Sequence, residues 1–319
     1  MTGDGPLVSI GVPTFNRAAT LQRTLESALA QTHSRLEIVV CDNASSDGTR
    51  EICERYAAED SRVRYVRQAE NVGPTTNFNT LFTECRGDFV MMLADDDWID
   101  REYVATCLEA LIADPGAALV CGLARYYRDG RPVGEGVPMT LDQAEPVQRV
   151  AAYYADVEDN GTFYGLMPRR VLAAAAPMPN LLGNDWLLIG RVAFLGRLRT
   201  LGEVGIHRAL DGTSAGVERI VETFGAPPFQ AWAPHLVIAS AVLRDIGWAN
   251  GVYASAGPLT RLRLGVRAAW SVIDWRSLAW HATFPIAAAV GRRPRGAVVL
   301  RAYLSITRAL GAGQPSGRR

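Results

Sequence analysis

The sequence predicts an α/β protein: a mainly parallel sheet with helices on both faces, followed by a helical C-terminal stretch. Three observations carry this. Short apolar runs alternate with amphipathic stretches through the first 125 residues, at the spacing of strand–helix–strand units. Turn-forming pairs such as Asp47-Gly48 and Pro115-Gly116 punctuate that alternation. After about Pro227 the strand signals stop, and the chain becomes Arg-rich, aromatic and helical in pattern.

Residues 8–12 form a first apolar strand. Thr20 can cap a helix reaching Gln31, because Leu21, Leu25, Ala28 and Leu29 fall on one face. Residues 36–41 make a second strand, and Asp47-Gly48 opens a helix through Tyr56. A third strand at 63–66, a helix at 75–84 and a fourth strand at 89–93 follow. A helix from Asp100 to Asp114 closes at Pro115-Gly116, and 119–123 is a fifth strand. Gly130, Pro132, Gly134, Gly136 and Pro138 mark 126–147 as an insertion without a long regular element. Beyond it, 147–156, 171–176 and 186–195 read as helices, and 163–167 and 198–201 as strands.

Asp95-Asp96-Asp97 stands directly after the apolar run Phe89-Val90-Met91-Met92-Leu93. Adjacent carboxylates repel and raise one another's pKa unless a cation shares their site. Open α/β sheets bind ligands outside the carboxyl ends of their strands. A divalent metal holding a phosphorylated substrate is the simplest reading, since hard cations take carboxylate oxygen and leave positions for phosphate. The alternative is a solvated acidic loop in which Asp97 caps the next helix.

Composition narrows the class. With 319 residues, 48% hydrophobic and 21% charged, the chain is globular, not disordered. Net charge is zero but unevenly spread: residues 1–223 hold 21 Arg against 31 Asp and Glu, and 224–319 hold 12 Arg against 2 Asp. The C-terminal part is therefore suited to an anionic neighbour. The five cysteines have neither zinc nor redox-pair spacing, which points to a reducing cytoplasm. Residues 1–6 carry no signal-peptide pattern, and the longest uncharged stretch, 223–243, is broken by Pro227, Pro228 and Pro234. No GxGxxG follows the first strand and no GxxxxGK[ST] occurs anywhere, which disfavours dinucleotide and P-loop readings.

Several phrases resemble family 2 glycosyltransferases. Val12-Pro13-Thr14-Phe15-Asn16-Arg17 resembles the P-[TS]-[FY]-N-R end of that family's first strand. Asp42-Asn43-Ala44-Ser45-Ser46-Asp47-Gly48-Thr49 resembles its D-x-S-x-D-G-T loop. Asn71-Val72-Gly73, Asn79, Gly87-Asp88 and Asn184-Asp185-Trp186 continue the order, and the likeness covers about residues 7–215. It implies a GT-A fold over 1–223, with a nucleotide-sugar half near 7–125 and an acceptor half near 126–223. An Arg-rich helical extension, 224–319, then follows. It implies an inverting, Mn²⁺- or Mg²⁺-dependent transfer of a sugar from a UDP- or dTDP-linked donor. The acceptor would be a hydroxyl of a glycan, a lipid-linked intermediate or a small molecule.

By the same resemblance, Asp96 is the metal-binding residue, and Asp95 contacts metal or ribose. Pro13, Phe15, Asn16 and Asn71 lie along the donor nucleotide. Asp42 accepts the N–H of the base, or else caps the turn at 43–46. Arg17 pairs with a phosphate or makes a surface ion pair. Asp185 is the catalytic base, or a helix N-cap, or both. The closing segment His207-Arg208-Ala209-Leu210 offers Arg208 to the diphosphate and His207 as a last metal ligand or a structural histidine. Three positions depart from the family: Ala94 replaces an acid, Phe78 an arginine and Leu210 a histidine. Retaining transfer remains an alternative. So does a sugar nucleotidylyltransferase, although its Gly-rich basic loop is missing after the first strand. A membrane-associated scaffold with a decayed site is the non-enzyme alternative. Trp270, Trp275, Trp280, Phe284 and Tyr303 interleave with the C-terminal arginines. Such a stretch can lie on an anionic membrane at its cytoplasmic face, pack as a helical subdomain or form a homo-oligomer contact. No nucleic-acid recognition motif accompanies the charge.

Overall fold

The computed structural model describes residues 5–210 and 217–273. Its first sheet is built from β1 (Val8–Thr14), β2 (Leu36–Asp42), β3 (Val63–Arg67) and β4 (Phe89–Met92) in the order β3-β2-β1-β4, all parallel. The crossover helices are α1 (Leu21–Leu29), α2 (Thr49–Glu59) and α3 (Pro74–Glu84). Parallel strands buried on both faces must be apolar throughout, and Val8, Ile10, Val12, Ile38, Val40, Val90 and Met91 are fully buried. The register pairs Val8 with Leu36 and Thr14 with Asp42, and Gly11 with Met92. The loops at 15–17, 43–46 and 94–97 therefore leave the sheet along one edge, and that edge is where a ligand can meet them.

The strand predicted at 119–123 does not extend this sheet. It lies in β6 (Ala117–Arg128), which pairs in parallel with β9 (Arg197–Ala209) in a second sheet ordered β5-β9-β6-β7. The two-residue β5 (Trp98–Ile99) and β7 (Arg131–Glu135) complete it. The first part of the insertion predicted from glycines and prolines is this β6–β7 hairpin, turned by Asp129 and Gly130 at φ 49° and 71°. Residues 163–167, expected as a strand, are instead a 3₁₀ turn (Gly161–Tyr164) and then β8 (Met167–Pro168), antiparallel to β4. Leu166 bridges Val120, so this short segment joins the two sheets. α4 (Tyr103–Ala113), α5 (Pro146–Asp156), α6 (Arg169–Ala175) and α7 (Asn184–Leu195) cover the faces. The expected Thr20 cap is absent: its hydroxyl is buried without a protein partner, and Leu21 N–H bonds Arg17 O instead.

After β9 come α8 (Val217–Thr223), α9 (Pro234–Arg244) and α10 (Pro258–Val272). They pack on the first 210 residues. Arg191 of α7 makes a buried ion pair with Asp245, donating at 2.6 and 3.1 Å, and holds the Ala175 and Pro177 carbonyls. Ile238 lies against Gly183, which precedes α7 in a left-handed conformation (φ 79°) that a Cβ would not fit. The extension thus braces the start and the middle of α7. Trp275, Trp280, Phe284, Tyr303 and the arginines from 276 onward lie outside the described residues. Among the described residues, no helix is long and apolar enough to cross a membrane.

Candidate active site

A cleft of about 680 Å³ opens at the edge where β1, β2 and β4 end. One wall is polar: Asn16, Arg17, Asn43, Asn71, Asp95 and Asp96. Facing it are Asn160, Asn184, Asp185 and Arg208 among apolar side chains, including Phe163, Met178, Leu182 and Trp186. Ile220 and Phe224, at the end of α8, add a third side.

The acidic cluster divides by role. Asp97 is buried and turns away from the cleft, accepting Arg208 Nε at 3.1 Å and Ala209 N at 2.9 Å. Asp95 and Asp96 line the cleft. Burial and the neighbouring Asp96 charge push the Asp95 carboxyl up to about 7, against the opposing pull of Arg17, whose Nε lies 3.3 Å away. Two adjacent carboxylates, one of them holding its charge with difficulty, are the donor set a hard divalent cation relieves. Among the described residues no third His, Cys, Asp or Glu completes a metal cluster. An ion held here would take its remaining ligands from water and phosphate, the usual arrangement for Mg²⁺-like ions.

His207 does not join them. Its Nε2 meets Asp100 at 2.8 Å and its Nδ1 meets Tyr127 Oη at 3.0 Å, while its ring stacks on Trp98 with centroids 5.1 Å apart. Both nitrogens are spent, so the expectation of a last metal ligand is corrected: His207 fastens β5 to β9. Asp42 is also corrected as a base contact. It is fully buried, with Ser45 N on one oxygen and Tyr65 Oη and Arg67 Nη1 on the other. It caps the 43–46 turn, the alternative reading of the sequence, and Asn43 and Asn71 face the cleft in its place. Asn16, at φ 54°, ties two loops: its N–H bonds Ser45 Oγ and its Oδ1 accepts Ser46 N. Pro13, Phe15 and Arg17 line the cleft, and the Phe15 N–H points to Asp95 at 3.4 Å.

Asp185 lies in the first turn of α7, but the cap is Gly183, so the N-cap reading of Asp185 is not realised. Its Oδ1 accepts Trp186 N at 2.9 Å and its Oδ2 accepts Asn160 Nδ2 at 3.2 Å. Burial raises its pKa, which makes it a better proton acceptor than a solvated carboxylate; the Asn160 bond is the largest opposing influence. Arg208 is buried in the cleft wall and bonded to Asp97, Asn160 and Tyr164 Oη, its guanidinium 4.5 Å from the Tyr164 ring centroid. Asp97 offsets part of its charge. Nothing in the sequence signalled Asn160, Tyr164 or α8, which reach the cleft only through the second sheet and the segment that follows it. Where the family's arginine is replaced, Phe78 meets Phe163 edge-on at 5.5 Å, and Ala94 and Leu210 also line the cleft, so these departures make the wall more apolar.

The model of the family described as Glycosyl transferase family 2 matches residues 9–164. The chain is 36% identical over 132 residues to a chondroitin synthase of Escherichia coli, covering 41% of this chain and 19% of the relative. It is 33% identical over 181 residues to the GalNAc(5)-diNAcBac-PP-undecaprenol beta-1,3-glucosyltransferase of Campylobacter jejuni, covering 56% and 57%. The chain thus spans less than two thirds of the length of either relative. Among solved structures it resembles the mannosyltransferase PcManGT from Pyrobaculum calidifontis in complex with GDP-Man and Mn²⁺. That match has a TM-score of 0.53 and 20% identity, over 97% of this chain and 81% of that one. S. aureus TarS 1–349 in complex with UDP-GlcNAc matches with a TM-score of 0.53 and 16% identity, over 92% and 94%. At these identities the two structures speak for the fold, which is GT-A-like, mixed α/β.

Proposed function

We propose that the chain, whose residues 9–164 match the model of glycosyl transferase family 2, is a member of that family and moves a sugar, with inversion, from a UDP- or dTDP-linked donor to an acceptor hydroxyl. The observation that carries this is one cleft holding two strand-end carboxylates, Asp95 and Asp96, and, on a different element, a half-buried carboxylate, Asp185. The donor lies along the Pro13–Arg17 loop with its diphosphate toward Asp95, Asp96 and Arg17. A bound Mn²⁺ or Mg²⁺ held by Asp95 and Asp96 would offset the charge of the departing diphosphate. Arg208, anchored by Asp97, adds a fixed positive charge to the cleft wall. Asp185 takes the proton of the acceptor hydroxyl as its oxygen bonds the anomeric carbon. The bond from that carbon to phosphate breaks, and the electron pair leaves with the diphosphate. Acceptor classes that fit the apolar wall around Asp185 are a glycan, a lipid-linked intermediate or a small molecule with an apolar portion.

The test is donor consumption by the purified protein with MnCl₂, using UDP-GlcNAc, UDP-glucose, dTDP-glucose and GDP-mannose. We expect slow release of UDP or dTDP from a matching donor, suppressed by EDTA, with an inverted product anomer by NMR. A retained anomer would replace inversion with the retaining alternative. Pyrophosphate formation would indicate nucleotidyl transfer, and no release together with no nucleotide-induced thermal shift would leave the scaffold reading.

The cytoplasmic face of a membrane is the proposed place of action. Leu259, Leu262, Val266 and Trp270 form an exposed apolar stripe on α10, with exposed Arg263 and Arg267 along one edge. No acidic residue occurs between Ile246 and Ile273. The full chain is expected to co-sediment with vesicles of phosphatidylglycerol and phosphatidylcholine, and less at high salt. Leu262→Glu with Val266→Glu should abolish this; binding unchanged by the pair would remove α10 as the contact.

A further inference from the structure

Two charged groups that the reaction needs in different states sit on either side of one neutral amide. Asn160 lies in the turn ahead of the Gly161–Tyr164 3₁₀ segment. Its Oδ1 accepts Nη1 of Arg208, and its Nδ2 donates to Oδ2 of Asp185 at 3.2 Å. An amide is the side chain that can do both at once, an acceptor toward a guanidinium and a donor toward a carboxylate; only one flip of the group satisfies both neighbours. Beyond Arg208 the chain of bonds continues to Asp97 and the loop that carries Asp95 and Asp96.

Without a spacer, Arg208 and Asp185 would be a buried arginine and a half-buried carboxylate facing one cleft, the condition for a direct ion pair. Such a pair would stabilise the Asp185 anion and occupy the lone pairs an acceptor hydroxyl must use. Arg208 already lowers the proton affinity of Asp185 at a distance. Asn160 keeps the two apart while fixing one oxygen of Asp185; the Trp186 N–H fixes the other. We propose that Asn160 is a positioning residue that holds Asp185 toward the acceptor and prevents its direct pairing with Arg208. This rests on the reading of Asp185 as the base.

The ionisable groups around Asp185 are few. Arg208 comes from β9, Asp159 and Tyr164 from the turn, Tyr153 and Tyr154 from α5, and Arg219 from α8. Burial raises the three tyrosines far enough to keep them neutral across the working range, so they do not titrate with the carboxylate. Asp159 is buried and accepts the N–H groups of Val137 and Gly161. A change at Asn160 should therefore be read cleanly in the ionisation of Asp185.

The experiment has two arms on the full chain. In the first, ¹³C-carboxyl aspartate labelling follows the Asp185 titration by NMR, assigned by its loss in Asp185→Asn. Asn160→Asp keeps the contact to Arg208 but loses the donor to Asp185 and adds a like charge, so it is expected to move that titration up by about one pH unit or more. Asn160→Ala removes both the donor to Asp185 and the acceptor for Arg208 without adding charge; it should move the titration up less, or down if Arg208 closes onto the carboxylate. In the second arm, hydrolysis of the donor found active above is measured across pH with MnCl₂. The acid limb for Asn160→Asp should shift upward with the titration, and turnover at its plateau should fall about tenfold or more, with donor KM within about threefold. An Asp185 titration unmoved in both variants overturns the inference whatever the fate of the base. A plateau loss with an unmoved acid limb overturns it as well, since that is what a purely structural residue would give. If Asp185→Asn itself retains turnover, the base reading fails and the positioning role falls with it. Asp185→Asn inactive with Asn160 variants unaltered removes the Asn160 role alone.

Discussion

Asp185→Asn is expected to lower turnover by about a hundred- to ten-thousand-fold, the usual worth of a general base. Donor affinity should be unchanged. The substitution removes the proton acceptor and little else. Asp185 is not the helix cap, since Gly183 holds that position, so α7 keeps its start. Its carboxylate accepts from two donors, Trp186 N and Asn160 Nδ2. An amide has one oxygen and can accept from only one of them in that geometry. The cost of the lost bond is about 1 kcal/mol of stability, a melting shift of a few degrees. A thermal melt, donor titration and turnover on one preparation separate these effects. Transfer within about threefold of wild type is under ~1 kcal/mol of barrier. That result would reduce Asp185 to a structural contact and move attention to Asp159, which lines the same cleft, or to Asp211.

Asp96→Ala is expected to abolish the Mn²⁺-dependent part of UDP or dTDP binding while leaving the fold intact. Asp95→Ala should weaken it less. The physical ground is the strain between the two carboxylates. Asp95 is raised to about 7 by burial and by Asp96. A carboxyl raised above its unfolded value near 3.8 contributes stability that is full below that value and is lost as pH rises through about 7. In EDTA the melting temperature should therefore fall between about pH 4 and pH 7 and level off above that. Mn²⁺ should restore more at pH 8 than at pH 5, because only the ionised pair binds it. Removing Asp96 takes away one source of the Asp95 shift, so both the decline and the Mn²⁺ increment should shrink. Nucleotide affinity in Asp96→Ala equal to wild type, with and without EDTA, would remove the metal assignment.

The strands of the first sheet could be read from the chain because parallel strands buried on both faces are continuous apolar runs. Val8 to Val12, Leu36 to Cys41 and Phe89 to Leu93 have no other plausible environment. The same runs locate the strand ends, and with them the loops of Pro13–Arg17 and Asp95-Asp96. The resemblance in those loops then indicates the chemistry. Side-chain orientation is a different matter. Asp42, Asp95 and Asp96 look alike as letters, yet Tyr65 and Arg67 enclose the first, while the other two face the cleft. Those enclosing residues lie on β3, over twenty positions away, and no local pattern encodes their reach.

His207 shows the same limit: its two nitrogens are claimed by Asp100 and Tyr127, brought together by the β5–β9 and β6–β9 pairings. The second sheet was hard to foresee because its strands come from distant segments, 117–128 and 197–209, and its edge strand β5 is two residues long. Asn160 had no sequence signal beyond an Asn-Gly turn, since its importance lies in what flanks it in space. Local periodicity decides which segments are strands and helices, because burial on one face or two is written in residue order. Which carboxylates stay open to a ligand depends on long-range partners that neutralise the others, and only folding brings those partners into contact.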